Sequence, residues 1–523
     1  QYRDSITSAE VNLSGMTNAT NLFHGCENLC TVDLSQFDTS SITNMEGMFS
    51  GCSNLTELDL SSFNTVNVTY MRHLFAGCSS LHDIGLRNFS TSNVTDMGGM
   101  FSGCSSLATL DVSSLDTSNV VYMETMFSSC TNLRDLNLTN FNTSSAVYMN
   151  SMFSDSSSLV SLDLSGFDTG NVEKMSYMFS GCTGLKKLDL RGFNTEKVID
   201  MSAMFSACRS LTELDLANFN TSIVVNMNEM FGYCDHLASL NVSSFDTGSV
   251  TNMHRMFADC LNLKILDVSN FETGNVTNMQ EMFMLCAALE NLDLSNFDTR
   301  NVSTMNEMFK DCRNLADLKI DSFDTGNVVT MNGMFAGCWK LADLGVGSFN
   351  TANVSNMAEI FSGCRSLVDL DLSNFDISQA VNNTWGMFVG CDALKILHAP
   401  QTIGETTVEL LDFFQTPDGR RTNQLSSAFA NTTLTRTGTD DSSLTGYVNG
   451  TNDQVSWTYV PETKTIVVTG KGIREVNQPS GYNESSFPIE TEYVIFEGCE
   501  IEGSLAWLFY GLNELKAVDF TKL

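Results

Sequence analysis

Methionine recurs every 26 residues from Met45 through Met71, Met97 and Met123 to Met357, thirteen times in all. A second methionine follows three residues later in eleven of those repeats, as at Met48, Met100 and Met126, with Leu74 and Ile360 as the substitutes. Together the two slots hold 24 of the 27 methionines. A fixed period of about 20–50 residues is the signature of a solenoid or an array. The 523 residues are therefore read as stacked copies of one small unit, not as three ordinary domains. Methionine is an architectural residue here, not a sign of metal or redox chemistry.

One unit runs N-L-T-E-L-D-L-S-S-F-N-T-V-N-V-T-Y-M-R-H-L-F-A-G-C-S from Asn54. Its apolar slots are Leu55, Leu58, Leu60, Phe63, Val68, Met71, Leu74, Phe75 and Cys78. Leu58 and Leu60 alternate with Glu57, Asp59 and Ser61, which is the period of a short strand. Val68, Met71, Leu74 and Phe75 fall at i, i+3, i+6 and i+7, the spacing of one helix face. Asn67 precedes that run, and Asn recurs there at Asn93, Asn119 and Asn171, a residue suited to cap a helix. The expected fold is an α/β repeat solenoid. It is a right-handed coil with a parallel β-sheet on one face and short helices on the other, followed by a small β-rich segment. A single coil cannot stand alone. Burying nine side chains yields roughly 1.5–3 kcal/mol each, whereas ordering one backbone residue costs roughly 1–2 kcal/mol. Neighbours must supply the rest.

The solenoid is expected over 1–399, the array end and a linker over 400–453, and a β-hairpin segment with the start of a second array over 454–523. One residue is inserted near Asn382 and Asn383, and Pro400 closes the first array, since proline cannot donate to a ladder. Val455, Trp457 and Tyr459, then Ile466, Val467 and Val468 read as a hairpin. The stretch from Leu508 to Phe520 echoes the coil motif, so the chain is expected to continue past Leu523. With neither a leader-like apolar stretch at Gln1 nor a sorting tail, it reads as a mature form or an excised piece.

Fourteen of the 16 cysteines share one slot, from Cys26 to Cys391, with Ser156 as the interruption. The runs on either side of Ser156 hold odd numbers and parallel rungs aim their side chains alongside each other, so buried thiols are expected rather than disulfides. No two of His24, His73, His82, His236, His254 and His398 share a slot. No nucleophile constellation, phosphate loop or dinucleotide fingerprint is present, which argues against an enzyme. The net charge of −34 repels nucleic acid and anionic membrane. That charge concentrates in outward strand slots such as Asp59, Asp111, Asp163, Asp215 and Asp293. Asp317, Asp321, Asp343, Asp369 and Asp371 are the densest group, read as a candidate surface for a basic protein partner or for Ca2+. No cofactor is expected otherwise. The abundant N-x-[ST] triplets follow from the repeat itself.

The unit C-x-x-L-x-x-L-D-L-S-x-F-D-T-x-N-V-T-N-M-x-x-M-F-x-G resembles the repeat of BspA-like leucine-rich-repeat surface proteins over about residues 14–399. Segment 454–520 is similar to the opening of the other array type of that family, with W-T-Y at Trp457 and T-I-V-V-T-G-K-G at Thr465. The resemblance implies a leucine-rich-repeat-like coil in a secreted or cell-surface protein. It also implies adhesion to host matrix proteins, host cells or other microbes, and supplies no catalytic residues. The alternative class is a structural spacer that projects another domain from the cell.

Overall fold

The structure is a computed structural model. It describes residues 6–437, 444–447, 455–460, 464–475, 492–504, 509 and 515–522. The chain divides into two compact units, Gln1–Cys338 and Trp339–Leu523.

In the first unit, β1 (Ser8–Leu13) pairs in parallel with β2 (Thr31–Phe37). Further along, β3 (Thr109–Asp111) pairs with β4 (Asp135–Asn137), β5 (Glu213–Asp215) with β6 (Ser239–Asn241), and β7 (Asn291–Asp293) with β8 (Asp317–Lys319). These three pairs set equivalent residues of successive repeats side by side, such as Leu214 and Leu240. The middle leucine points inward while Glu213 and Asp215 stand exposed. The expected sheet is thus built of short pieces joined in pairs. An unbroken ladder runs elsewhere: parallel bridges link Asn18, Asn44, Tyr70, Asp96, Tyr122 and onward to Thr330, one residue per rung.

That ladder corrects the expectation of short helices. Among the described residues the only helical element is a 3-10 turn at Ser427–Phe429, in the second unit. The M-x-x-M-F-x-G stretch is a train of turns. Alternate amides donate to the next rung: Met71 to Asp96 at 2.9 Å, His73 to Gly98 at 2.8 Å, Phe75 to Met100 at 2.9 Å and Gly77 to Ser102 at 2.6 Å. The amides between them close local turns, Leu74 to Met71 and Ala76 to His73. A helix would send each amide four residues back along its own segment. Here half of them leave the rung altogether. The change of direction needs two left-handed residues per rung, His73 (φ 54) and Gly77 (φ 72) in this one. Glycine takes this conformation at no steric cost. Arg255 (φ 55), Asp259 (φ 60), Glu281 (φ 56) and Leu285 (φ 59) also adopt it, at about 1–2 kcal/mol each. The inter-rung bonds offset that strain, as from Glu281 to Asn306 at 2.9 Å and Leu285 to Lys310 at 2.7 Å.

All nine apolar slots of the unit from Asn54 are buried. Phe49, Phe75, Phe101 and Phe127 stack ring on ring with centroids 5.7–5.9 Å apart. A tenth buried slot is polar. Thr221 is fully buried; its hydroxyl donates to the Asp246 carbonyl at 2.7 Å and accepts the Asp246 amide at 2.8 Å. Thr65, Thr169, Thr247 and Thr273 bond in the same way. The ladder thiols from Cys52 to Cys338 reach a phenylalanine carbonyl one rung back, as Cys78 to Phe49 at 3.2 Å and Cys338 to Phe309 at 3.1 Å, and Ser156 makes the same bond to Phe127 at 2.6 Å. The predicted capping role of Asn67 is also corrected. Its amide nitrogen donates to the Ser40 carbonyl at 2.8 Å, and Asn93 and Asn119 repeat the bond. These asparagines tie rungs together instead of capping a helix.

In the second unit, β9 (Asp369–Asp371) pairs in parallel with β10 (Ile396–His398). The one-residue insertion shifts the turn bonds: Met357 donates to Asn383, where the unshifted register would reach Asn382, and Asn382 takes a left-handed φ of 62. Beyond β10 come β11 (Val408–Gln415), β12 (Arg421–Leu425) and β13 (Thr433–Arg436). Strand β13 lies antiparallel to β10, with Leu434 opposite Leu397, and so covers a parallel edge that would otherwise invite pairing. A second sheet runs β14 (Leu444–Tyr447), β15 (Val455–Val460), β16 (Thr465–Glu475), β17 (Tyr493–Ser504) and β18 (Ala517–Lys522). Its first three strands are antiparallel neighbours, and β16, β17 and β18 run parallel. Ile466, Val468, Val494 and Phe496 are buried there. Of the coil expected over Leu508 to Phe520, residue 508 and residues 510–514 lie outside the described residues.

Replacing Thr221 by Val should lower stability by roughly 1–3 kcal/mol, because it removes the buried hydroxyl that bonds both the amide and the carbonyl of Asp246. Phe205→Ala should cost about 3–5 kcal/mol, since the ring is fully buried between Phe179 and Phe231. Denaturant unfolding of the two variants measures both. A loss below about 0.5 kcal/mol, the scale of an ordinary surface substitution, at Thr221 would deny the buried polar ladder.

Candidate functional site

The exposed strand slots form the first candidate surface. In the first unit Asp317 and Asp321 are both exposed. Asp317 lies opposite Asn291 in the β7–β8 pair, and Lys319 reaches Asp293 at 3.6 Å. In the second unit Asp343 is exposed. Asp369 lies 3.5 Å from the His398 ring nitrogen, and Asp371 accepts the Ser373 amide at 2.9 Å. The Ser373 hydroxyl and amide hold the Asp371 carboxyl below the usual range.

The acid between the two strand leucines has a local task that the sequence reading missed. Asp59 accepts the Ser61 amide at 2.9 Å, Asp111 that of Ser113 at 3.0 Å and Asp267 that of Ser269 at 3.0 Å. Each carboxylate closes the turn after its strand, and these bonds lower the carboxyl pKa. Where Asn replaces Asp, it bonds to the neighbouring rung: Asn137 donates to Asp111 at 2.9 Å and Asn241 to Asp215 at 2.8 Å. A D-L-S triplet at a strand end signals this role. The acidic row is thus partly structural.

The turn side carries charge that the sequence reading did not single out. Arg72 spans two rungs to Glu124 at 2.5 Å and passes Asp96 at 3.4 Å. It crosses Gly98, where a Cβ would meet the guanidinium at 2.5 Å. Arg255 binds the largely buried Glu281 at 2.5 Å and the Tyr233 hydroxyl at 3.2 Å. Burial opposes the charge on Glu281, but hydrogen bonds from His254, Gln280 and Arg255 outweigh it and bring the carboxyl down to about 2. Asp259 is pushed the other way. Burial and the neighbouring Asp235 raise it to about 6, against Arg255 and Arg209. The Arg255–Glu281 pair is visible in sequence as opposite charges at one slot of successive repeats, in a stretch that reads as a helix face.

The ladder thiols are inert. Cys52, Cys130, Cys182, Cys234 and Cys286 are pushed up to about 12, chiefly by burial. A thiol held that high has almost no thiolate with which to react. No group of three His, Cys, Asp or Glu side chains is placed to hold a metal ion among the described residues. None of their helices is long and apolar enough to cross a membrane.

Comparison with known proteins places this repeat. A family model described as "Mycoplasma protein of unknown function, DUF285" matches residues 4–109, 71–188, 95–214, 200–319 and 304–398. The chain belongs to that family. The tiling of DUF285 matches along the solenoid agrees with the resemblance to BspA-like leucine-rich-repeat proteins. No curated protein matches the chain in sequence. Among solved structures, a leucine-rich repeat protein from Eubacterium ventriosum is similar at 16% identity and TM-score 0.34, over 70% of this chain and 87% of that one. The functional domain of InlJ from Listeria monocytogenes, which includes a cysteine ladder, is similar at 13% identity and TM-score 0.17, over 90% and 82%. The Drosophila Toll–Spatzle complex matches at 14% identity and TM-score 0.25, over 95% and 69%. The DUF285 description names no activity.

Asp259→Asn should raise the melting temperature at pH 7.5. An acid whose folded pKa is raised destabilises the fold while it is charged, and the cost fades as pH falls through about 6. The advantage of the variant should therefore shrink as pH falls below about 6 and vanish only below the ordinary carboxylate value of 3.8, and thermal melts at pH 7.5 and at about pH 3 read it. An equal advantage at both would mean that Asp259 is not strained by charge.

Proposed function

We propose that this DUF285 protein is a non-enzymatic, secreted or cell-surface binding protein of adhesin type, whose exposed strand positions take protein partners. The observation that carries this reading is the division of labour within each rung. The nine apolar slots, the thiol among them, and the threonine are occupied in nearly the same way throughout, while the outward strand slot holds Glu57, Asp83, Thr109, Asp135, Ser161, Lys187, Glu213, Ser239, Ile265, Asn291 and Asp317 in turn. An open face that varies over a constant interior is how solenoids present binding surfaces. Asp317 and Asp321 in the first unit, and Asp343 and Asp369 with the turn-closing Asp371 in the second, favour a basic partner. High, buried thiols suit an oxidising space, because they cannot exchange. Calcium is not part of the proposal.

The test is retention of purified extracellular-matrix proteins by the immobilised intact chain. Binding should weaken steeply as salt rises, because exposed charges are screened within about 8 Å at physiological ionic strength. Converting Asp317, Asp343 and Asp369 to Asn should remove most of it and leave the melting temperature unchanged or higher. Binding that survives both changes would place the partner elsewhere. Failure to retain any matrix protein would favour the spacer.

A further inference from the structure

The bridge ladder of the first unit carries tyrosine at Tyr70, Tyr122 and Tyr148, with Asp96 between the first two. Tyr70 and Tyr122 are 47% and 40% exposed. The rings of Tyr122 and Tyr148 stack at 5.1 Å and 5°. One face of Tyr122 is therefore covered, and its other face looks along the ladder toward the Asp96 rung. Asp96 does not fill that rung. Its carboxylate is drawn down onto the Gly98 amide at 2.9 Å and toward Arg72 at 3.4 Å, and its side chain is only 13% exposed. Tyr70 and Tyr122 therefore flank, one rung to each side, a position whose carboxylate lies low. Glu124, the second carboxylate that Arg72 reaches, keeps one buried oxygen without a hydrogen-bond partner, so Arg72 alone does not balance Asp96 and Glu124.

We propose that Tyr70, Asp96 and Tyr122 form a binding slot for a quaternary ammonium group of the choline type. Two rung steps separate the tyrosines by about 9.6 Å. A carbon in contact with a ring sits roughly 3.5–4 Å from it, so two contacts plus the roughly 2.5 Å spread of the methyl groups fill that width. A flat guanidinium stacked on both rings needs only about 7–8 Å and would be loose. The nitrogen would stand about 4.8 Å from each ring plane, within the roughly 6 Å over which a cation is held by an aromatic face. The carboxylate below adds charge attraction without demanding a hydrogen bond that a quaternary ammonium cannot give. This inference is independent of protein binding by the strand face.

The intact chain is titrated with choline chloride and observed by saturation-transfer NMR on the trimethylammonium protons. Signal transfer is expected, with arginine and lysine at equal concentration weaker. Tyr70→Leu and Tyr122→Leu should each weaken binding at least about tenfold and Asp96→Asn several-fold, while Tyr122→Phe retains it, as a cation–π contact requires. Vesicles of phosphatidylcholine, added as a competitor, distinguish a lipid headgroup from free choline as the source. Displacement of choline from the slot points to the lipid, and its absence to a soluble choline compound. No transfer from choline, or transfer unchanged in both Leu variants, overturns the proposal. So does preference for arginine over choline. The tyrosines are exposed, so an unchanged melting temperature certifies that each Leu variant is folded.

Discussion

The inter-rung hydrogen bond, from an amide of one rung to a carbonyl of the next, is the constraint on which the structure depends. Met71 to Asp96 and Phe75 to Met100 are examples. These bonds fix the length of the rung, because any other length would set inward side chains against outward ones in the next copy. They place Phe over Phe, Thr over Thr and Cys under the carbonyl of a phenylalanine. Where one residue is added near Asn382, the bonds shift by one and a left-handed residue absorbs the excess. Register is kept at the cost of local strain.

From that register follows a separation of interior from exterior. Thr221 and Cys234 can be buried because each finds its acceptor on an adjacent rung. The outward slots carry no such obligation, so they vary freely and gather charge. Like charges one rung apart repel by about 1 kcal/mol in water. The chain limits this with Asn137 and Asn241, which bond to the neighbouring aspartate, and with Lys319 beside Asp293. The strand face thus has a spacing set by the interior and a chemistry that is free to change.

Much of this was legible in the amino-acid sequence, and the rest was hidden for physical reasons. The nine apolar slots could be read because burial tolerates only apolar residues there. The thiol ladder could be read from parity and spacing. The helix was misread because i, i+3, i+6 and i+7 is also the spacing of stacked turns, whose inward positions recur every three or four residues. Left-handed Glu281 and Arg255 gave no warning, since both are ordinary helix residues. The burial of Thr221 left no mark in its own repeat, because its partners belong to the next rung. The acids from Asp317 to Asp371 stand out in the sequence by their density, but the turn-closing role of Asp371 needed coordinates. The bond between Arg72 and Glu124 skips a whole rung, a relation visible only once the rungs are stacked.

Far-UV circular dichroism of the intact chain tests the central claim most directly, that stacked turns and an amide ladder stand where the sequence period suggests helices. The account predicts a spectrum without the helical double minimum. A spectrum carrying the helical signal expected from a short helix on every rung would contradict it.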